Sequence, residues 1–512
     1  MPASYLDTRS PIAPWLISVL AVLLGWLPGQ RCAAAADEPR RPNIVWIVVD
    51  DMSANFSCYG EKLIQTPHVD RLAREGTRFA HAYVTAPVCS PCRSALVTGC
   101  YQTSIGAHHH RSGRGEQKIH LPDAVEPVPA IFQRAGYYTC IGGPMSAASG
   151  NLGKTDYNFE WDLAIYNGND WSGRQPGQPF FMQVQLHGGK HRGNDNNPRW
   201  SERVRRELGS STSPEQVVLP PYYPRDPVLL NDWAQYLDCV RWTDHEVGEV
   251  VARLEREGIL DETVIFFLTD HGISHARGKQ FLYDEGMHVP LVIRGPGVTR
   301  GAVRDDLVEH IDVAATSLAA AGLAIPAWMQ GRNVLAADYS PREAVFAARD
   351  RCDETVDHIR AVRTARFKYI RNYLPARPHL QPNQYKDSKR IVERLRELHA
   401  AGGLDELTER LLFSPTRPPE ELYDLAADPW ELVNLAGDPA HATELDAMRE
   451  RLKGWEHDTK DLGQQPEPAA MYDSDMDVYL GRRARRQRAA GDTPSVLEQN
   501  IELMKQWAEA GK

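Results

Sequence analysis

Two stretches of unbroken apolar residues each deliver carboxylates at their end, and this pairing limits the folds open to the chain. NIVWIVV (Asn43 to Val49) runs into Asp50-Asp51, and TVIFFLT (Thr263 to Thr269) runs into Asp270-His271-Gly272. A short run without polar alternation reads as a strand buried on both faces. YYTCIGG (Tyr137 to Gly143), PFFMQVQLH (Pro179 to His187) and VPLVIRG (Val289 to Gly295) have the same character. Helical patterns lie among them, from His68 to Gly76 and from Trp233 to Gly258. Together they predict an α/β fold with a large, mostly parallel sheet covered by helices on both faces. Ligands bind such sheets beyond the carboxyl ends of the strands, where Asp50, Asp51, Asp270 and His271 fall.

The pattern changes after about residue 345. VRTARFKYIRNY (Val362 to Tyr373) alternates like an antiparallel strand, and ELYDLAADPWELVNLAG (Glu421 to Gly437) reads as loop with a short strand. We expect a catalytic α/β domain over 37–350 and a smaller α+β domain over 351–463. Residues 464–512 read as a polar tail with a solvated basic run, RRARRQR (Arg482 to Arg488). At the other end, Arg9 precedes a short apolar stretch (Pro14 to Gly29) and small residues, CAAAAD. That is the layout of a signal peptide over 1–36, cleaved near Ala35 or Ala36, and it predicts an exported protein. The stretch is short for a membrane anchor, and the GQR before Cys32 does not look like a lipid-attachment box. No later segment is long and apolar enough to cross a membrane. The net charge of −10 argues against nucleic acid as the main partner, but a local cluster of cations can still receive an anionic substrate.

Export makes the cysteines informative. Seven lie beyond the leader: Cys58, Cys89, Cys92, Cys100, Cys140, Cys239 and Cys352. An odd number cannot all pair, so at least one thiol has another fate. The stretch CSPCRSALVTG (Cys89 to Gly99) draws attention, because Pro91 suits the first turn of a helix. Cys89 then stands at the helix start beside Arg93, where free N–H groups and positive charge depress a thiol pKa and favour an oxyanion. A zinc clip with His108, His109 or His110 lacks a second Cys-x-x-Cys pair. A redox pair lacks a thioredoxin-like surround. The adjacent carboxylates of Asp50 and Asp51, joined by Asp270, repel one another unless neutralised, and suit a hard divalent cation, Ca²⁺ or Mg²⁺.

Cys89-x-Pro91-x-Arg93 followed by Thr98-Gly99 resembles the signature of the type I sulfatases. The resemblance runs over residues 41–440 through NIVWIVVDD, TPHVDRLAREGTRFAHAY, AGYYT, PFF, LTDHG and ELYDLAADPWELVNL. It implies an alkaline-phosphatase-like α/β sandwich and conversion of Cys89 to formylglycine by a formylglycine-generating enzyme. It further implies Ca²⁺ held by Asp50, Asp51, Asp270 and His271, with the modified Cys89 as a further ligand. His271 stands where many relatives carry asparagine. Arg93 and Lys279 (in HARGKQFLY) match the family's sulfate-handling cations. Lys154 in GKTDYNF matches the lysine of the family's Lys-x-His motif, and no histidine follows at the family's spacing. His187 and His191 in LHGGKHRG are the candidates for the histidine after the PFF strand, which contacts the substrate oxygen or acts as general acid. The run His108-His109-His110-Arg111 is placed near the pocket mouth, as substrate contact or packed loop, and His310 and Asp312 read as structural.

GKTDYNF and LTDHG look most like the sulfamidase (N-sulfoglucosamine sulfohydrolase) branch, which implies a sulfated carbohydrate substrate of heparan type, as O- or N-sulfate. Two alternatives stand beside this: a phosphonate or phosphodiester hydrolase on the same fold, and a secreted glycan-binding protein without turnover.

Overall fold

The computed structural model describes residues 41–144, 151–193, 198–487 and 495–512. The expected signal peptide, Cys32 and Arg488 of the basic run lie outside the described residues.

The strand β1 (Asn43–Val49) is buried along its whole length. Val45, Ile47 and Val49 face one apolar layer, while Ile44, Trp46 and Val48 face another. This two-sided burial is why its sequence does not alternate. Six further strands complete the sheet: β2 (Thr77–Tyr83), β3 (Tyr138–Gly142), β4 (Phe180–Leu186), β5 (Thr263–Thr269), β6 (His288–Arg294) and β7 (Ala302–Glu309), in the order β3-β4-β1-β5-β6-β2-β7. Strand β1 lies between β4 and β5 and is parallel to both, with Val49 opposite Leu186 and Thr269. Asp50, His187 and Asp270 therefore leave the sheet side by side.

Strand β6 runs antiparallel to β5 and β2. Expected as one more strand of the parallel set, it is reversed because residues 270–287 stay at the carboxyl edge and no crossover helix carries the chain back. Helices α1 (Pro67–Glu75), α2 (Cys89–Thr98), α3 (Val128–Arg134), α4 (Pro198–Leu208), α5 (Pro227–Arg256), α6 (Asp284–Met287) and α7 (Asp312–Ala320) belong to this part of the chain. Leu229, Tyr236, Val240 and Val247 of α5 pack with one layer, while Phe132 of α3 and Val313, Ala314 and Leu318 of α7 pack with the other. Helix α5 starts earlier than its apolar period suggests, because Asp226 caps it by accepting the Val228 N–H and Pro227 fits its first turn.

A second, antiparallel sheet has the order β11-β10-β9-β8, from β8 (Val345–Arg349), β9 (Ile359–Arg363), β10 (Phe367–Asn372) and β11 (Glu420–Asp424). Val362, Tyr369 and Leu422 share a core with the helix Ala442–Asp458 and with Ala95 of α2. The small sheet thus braces the helix that begins at Cys89. Residues beyond 464, expected as a polar tail, include the helices Ala469–Gln487 and Val496–Glu509, packed through Tyr472, Met476, Leu497, Ile501 and Met504.

Candidate active site

Cys89 is the first residue of α2, a helix buried at every position. Its Sγ lies 3.2 Å from His271 Nε2 and 3.1 Å from Lys279 Nζ. The same His271 nitrogen is 3.2 Å from Asp51 Oδ1 and 3.4 Å from Asp270 Oδ1. Its other nitrogen, Nδ1, is 2.9 Å from the Gly272 carbonyl, which can only accept, so Nδ1 carries a proton. At Nε2 burial disfavours a second proton, but Asp270 and Cys89 outweigh it and raise the ring's pKa. Asp51 reaches this place through a left-handed backbone (φ 53°) and donates its own N–H to Asp270 Oδ1 at 3.2 Å.

Four cations surround these acids. Arg93 donates to Asp270 Oδ2 at 3.1 Å and also bonds Asp50 and Gln185. Lys154 Nζ donates to Asp50 Oδ1 at 2.9 Å, and Lys190 Nζ to Asp50 Oδ2 at 2.7 Å. Lys279 Nζ bonds Asp51 Oδ1 at 3.0 Å and the Tyr385 hydroxyl at 3.2 Å; that hydroxyl also lies 3.0 Å from Asp51 Oδ2. Burial pushes the Cys89 thiol up, but Lys154, Lys190 and Lys279 outweigh it and hold it well below the ordinary thiol range. Burial likewise opposes ionisation of Asp50, yet Lys154, Arg93 and Lys190 hold its carboxyl well below normal. Asp270 goes the other way, pushed up to about 6 chiefly by burial.

This donor set fits a divalent cation. Ligand atoms of Asp51, Cys89 and His271 lie within 4.8 Å of one another. Asp270 Oδ1 lies 3.4 Å from the same His271 Nε2, and Asp50 stands next to Asp51 along the chain. A divalent cation would take the place of the proton at Nε2 and supply the positive charge that buried Asp270 lacks.

The sulfatase family profile matches residues 42–323, more than half of the 512-residue chain. This chain belongs to the sulfatase family. Its members are sulfuric ester hydrolases. A second profile, the C-terminal region of N-sulphoglucosamine sulphohydrolase, matches residues 271–397 of this sulfatase. An ulvan-active sulfatase of Formosa agariphila is 32% identical over 459 residues, 81% of this chain and 75% of that protein. Human N-sulphoglucosamine sulphohydrolase is 27% identical over 467 residues, 82% and 91% of the two chains. A solved protein in complex with its substrate D-glucosamine-2-N,6-O-disulfate shares the fold at a TM-score of 0.56 and 21% identity, over 82% of this chain and 98% of its own.

In this sulfatase the fold brings Asp50, Asp51, Cys89, Arg93, Lys154, Asp270, His271 and Lys279 together. It does not bring His191 to them. The His191 ring stacks on Trp200 (centroids 5.1 Å apart, 4° between planes) and its Nε2 lies 3.7 Å from Glu246. His187 is exposed, its ring 5.0 Å from that of His191. In the loop that carries these histidines, Lys190 is the residue that reaches the carboxylates. The sequence did carry a signal for it: a Cβ on Gly188 or Gly189 would stand 2.2 Å from the carbonyl of Asp50 or Asp51. That glycine pair is what lets the turn press Lys190 against the carboxylates.

The histidine run divides: its histidines are packed, while Arg111 at its end lines a cavity beside Lys154. His108 and His110 are buried, and His110 Nδ1 lies 2.8 Å from Ser90 Oγ. His310 supports α2 from behind, accepting the Thr85 N–H at Nδ1 (3.3 Å) and donating from Nε2 to the Cys92 carbonyl (3.0 Å). Asp312 accepts N–H bonds from Glu309 and Arg332, consistent with its structural reading. All seven described cysteines are free. Tyr385 was not foreseen, because it comes from α8 (Gln384–Asp387), more than a hundred residues beyond the last site motif.

Proposed function

We propose that this sulfatase releases sulfate from a sulfated glycan, with a heparan-type amino sugar carrying an O- or N-sulfate as the leading substrate class. The observation that carries the reading is the meeting of three carboxylates, His271 and four cations around the Cys89 sulfur. The ulvan-active and N-sulphoglucosamine relatives support a glycan, and the match at 271–397 supports the amino-sugar branch.

In this reading Cys89 is matured to formylglycine by a formylglycine-generating enzyme, and the protein is exported after cleavage near Ala35 or Ala36. Formylglycine, once hydrated, would supply a geminal diol: one hydroxyl loses its proton and bonds to sulfur as the S–O or S–N bond to the sugar breaks and the sugar leaves with a proton, and loss of a proton from the second hydroxyl then breaks the C–O bond to sulfate, which releases sulfate and restores the aldehyde. Asp50, Asp51, Asp270 and His271 would hold a divalent cation, Ca²⁺ in this reading, which would supply Lewis acidity to the sulfate. The chain's own groups do the rest. Arg93 fixes Asp50 and Asp270 relative to residue 89. Lys279 and Lys190, whose ammonium groups lie 3.1 and 3.9 Å from Sγ, bind and orient the sulfate. Lys154 closes the Asp50 side.

Mass spectrometry of the tryptic peptide Phe79 to Arg93, from protein produced with a formylglycine-generating enzyme, tests the maturation. Loss of sulfur and two hydrogens from Cys89 with gain of one oxygen, the change from CH2SH to CHO, is expected, with Cys92 unchanged. Sulfate release from N- and O-sulfated glucosamines should then exceed turnover of phosphonate and phosphate diesters. A higher kcat/KM on the phosphorus substrates would overturn the assignment. Persistent Cys89 thiol with sugar bound and never cleaved would instead favour a binding protein.

A further inference from the structure

We propose that the cavity beside Lys154 is a subsite for a second anionic group on the substrate, bound by Arg111 and Arg114 next to Trp161; this rests on the glycan reading above. The cavity has a volume of about 580 Å³, and its wall includes Arg111, Arg114, Lys154, Asp156 and Trp161. A second cavity of about 730 Å³ shares Arg114 and Trp161 with it and continues to Lys118. Each is within the range of about 300–1,000 Å³ usual for small-molecule sites. The first has three cations and one carboxylate in its wall, in a chain whose net charge is −10. Such a local reversal of sign selects an anion.

Arg111 is not a loose surface residue. Its backbone is left-handed (φ 55°), and its N–H donates to Ser90 Oγ at 2.8 Å. Ser90 follows Cys89, so a hydrogen bond holds the Arg111 backbone next to the reacting residue. The Arg111 side chain is 39% exposed, and its one ion pair among the described residues, to Asp353, is long at 3.7 Å. Arg114 bonds Asp156, which stands two residues after Lys154 and 3.8 Å from its Nζ. Asp156 thereby couples the subsite to Lys154, which closes the Asp50 side of the site, and the fork of Arg114 keeps further N–H donors for an anion. Trp161, half-buried, meets Tyr157 and Tyr166 at 70° and 86° rather than lying parallel to either, and in the cavity wall it offers aromatic surface to a sugar ring. The second anion could be another sulfate on the same sugar or the carboxylate of an adjoining uronic acid; the chemistry at the arginines is shared.

Calorimetry on the Cys89→Ala protein in calcium buffer reads the subsite without chemistry. The probes are glucosamine N-sulfate, glucosamine N,6-disulfate, and a disaccharide of N-sulfoglucosamine with a uronic acid. We expect at least one two-anion sugar to bind about ten- to a hundredfold more tightly than the single-anion sugar. The disulfate preferred would assign a sulfate, and the disaccharide preferred would assign a carboxylate. Arg111→Gln and Arg114→Gln should each reduce the preference, and Arg111→Lys should recover part of it. Equal affinity for all three sugars, or a preference that survives both glutamine variants, would overturn the proposal. Sulfate release by the Cys89 enzyme from the single-anion sugar is scored separately. Its absence would count against the sulfatase reading of the glycan site, while release without any two-anion preference would count against the subsite alone.

Discussion

At the scale of single residues, chemistry and packing assign different work to neighbours. Lys190 and His191 are adjacent, yet Lys190 Nζ contacts Asp50 while the His191 ring lies flat against Trp200. Lys190→Ala should lower kcat/KM on a sulfated sugar about a hundredfold, the loss typical of one preorganised charge donor. His191→Ala should mainly lower Tm, with a much smaller kinetic effect. The opposite ranking would restore the histidine expected from sequence. His310 makes a second prediction. Burial lowers its pKa to about 4, so the folded ring stays neutral where an unfolded one, with a pKa near 6.5, is protonated. Between those values the unfolded state binds the extra proton, and stability through His310 falls as pH falls. His310→Gln removes that linkage. The decline in Tm from pH 6.5 to 4.5, measured by calorimetry, should be shallower in the variant than in the parent.

At the scale of elements, the site depends on loops pressed together at the strand ends. A Cβ on Gly272 would stand 1.9 Å from the Glu285 carbonyl, and one on Gly188, already at φ 52°, would stand 2.2 Å from that of Asp50. Gly188→Ala and Gly272→Ala should each cost roughly 3 kcal/mol or more and displace Lys190 or His271. Urea unfolding and sulfate release together check this, and normal values of both would show that the loops can yield. The same elements show what a reader of sequence can find. β1 and β5 were legible because burial on both faces leaves long apolar runs. β2 was not: TRFAHAY mixes polar residues into a strand whose register shifts after Phe79 on both of its edges. Its partners lie more than 200 residues away, so no local pattern marks it.

At the scale of the whole molecule, the last two helices are part of the body. Arg351, with no exposed side chain, is held by Glu467 at 2.7 Å and by Asp475 at 2.6 Å. Asp475→Ala leaves a buried guanidinium short of one partner and should cost about 3 kcal/mol, read as a lowered urea midpoint. An unchanged midpoint would mean the helices are dispensable. Sequence alone determined the α/β class, the strand ends that carry Asp50, Asp51, Asp270 and His271, and the helix that starts at Cys89. Those features are local, because two-sided burial, a proline in the first turn and a short motif all act within a few residues. Tertiary structure decided that Lys190 and not His191 meets the carboxylates, that Tyr385 joins them from far along the chain, that β6 is reversed, and that the tail is packed. Each of these depends on which distant surface a side chain meets, and the free energy of that meeting is written in no single stretch of sequence.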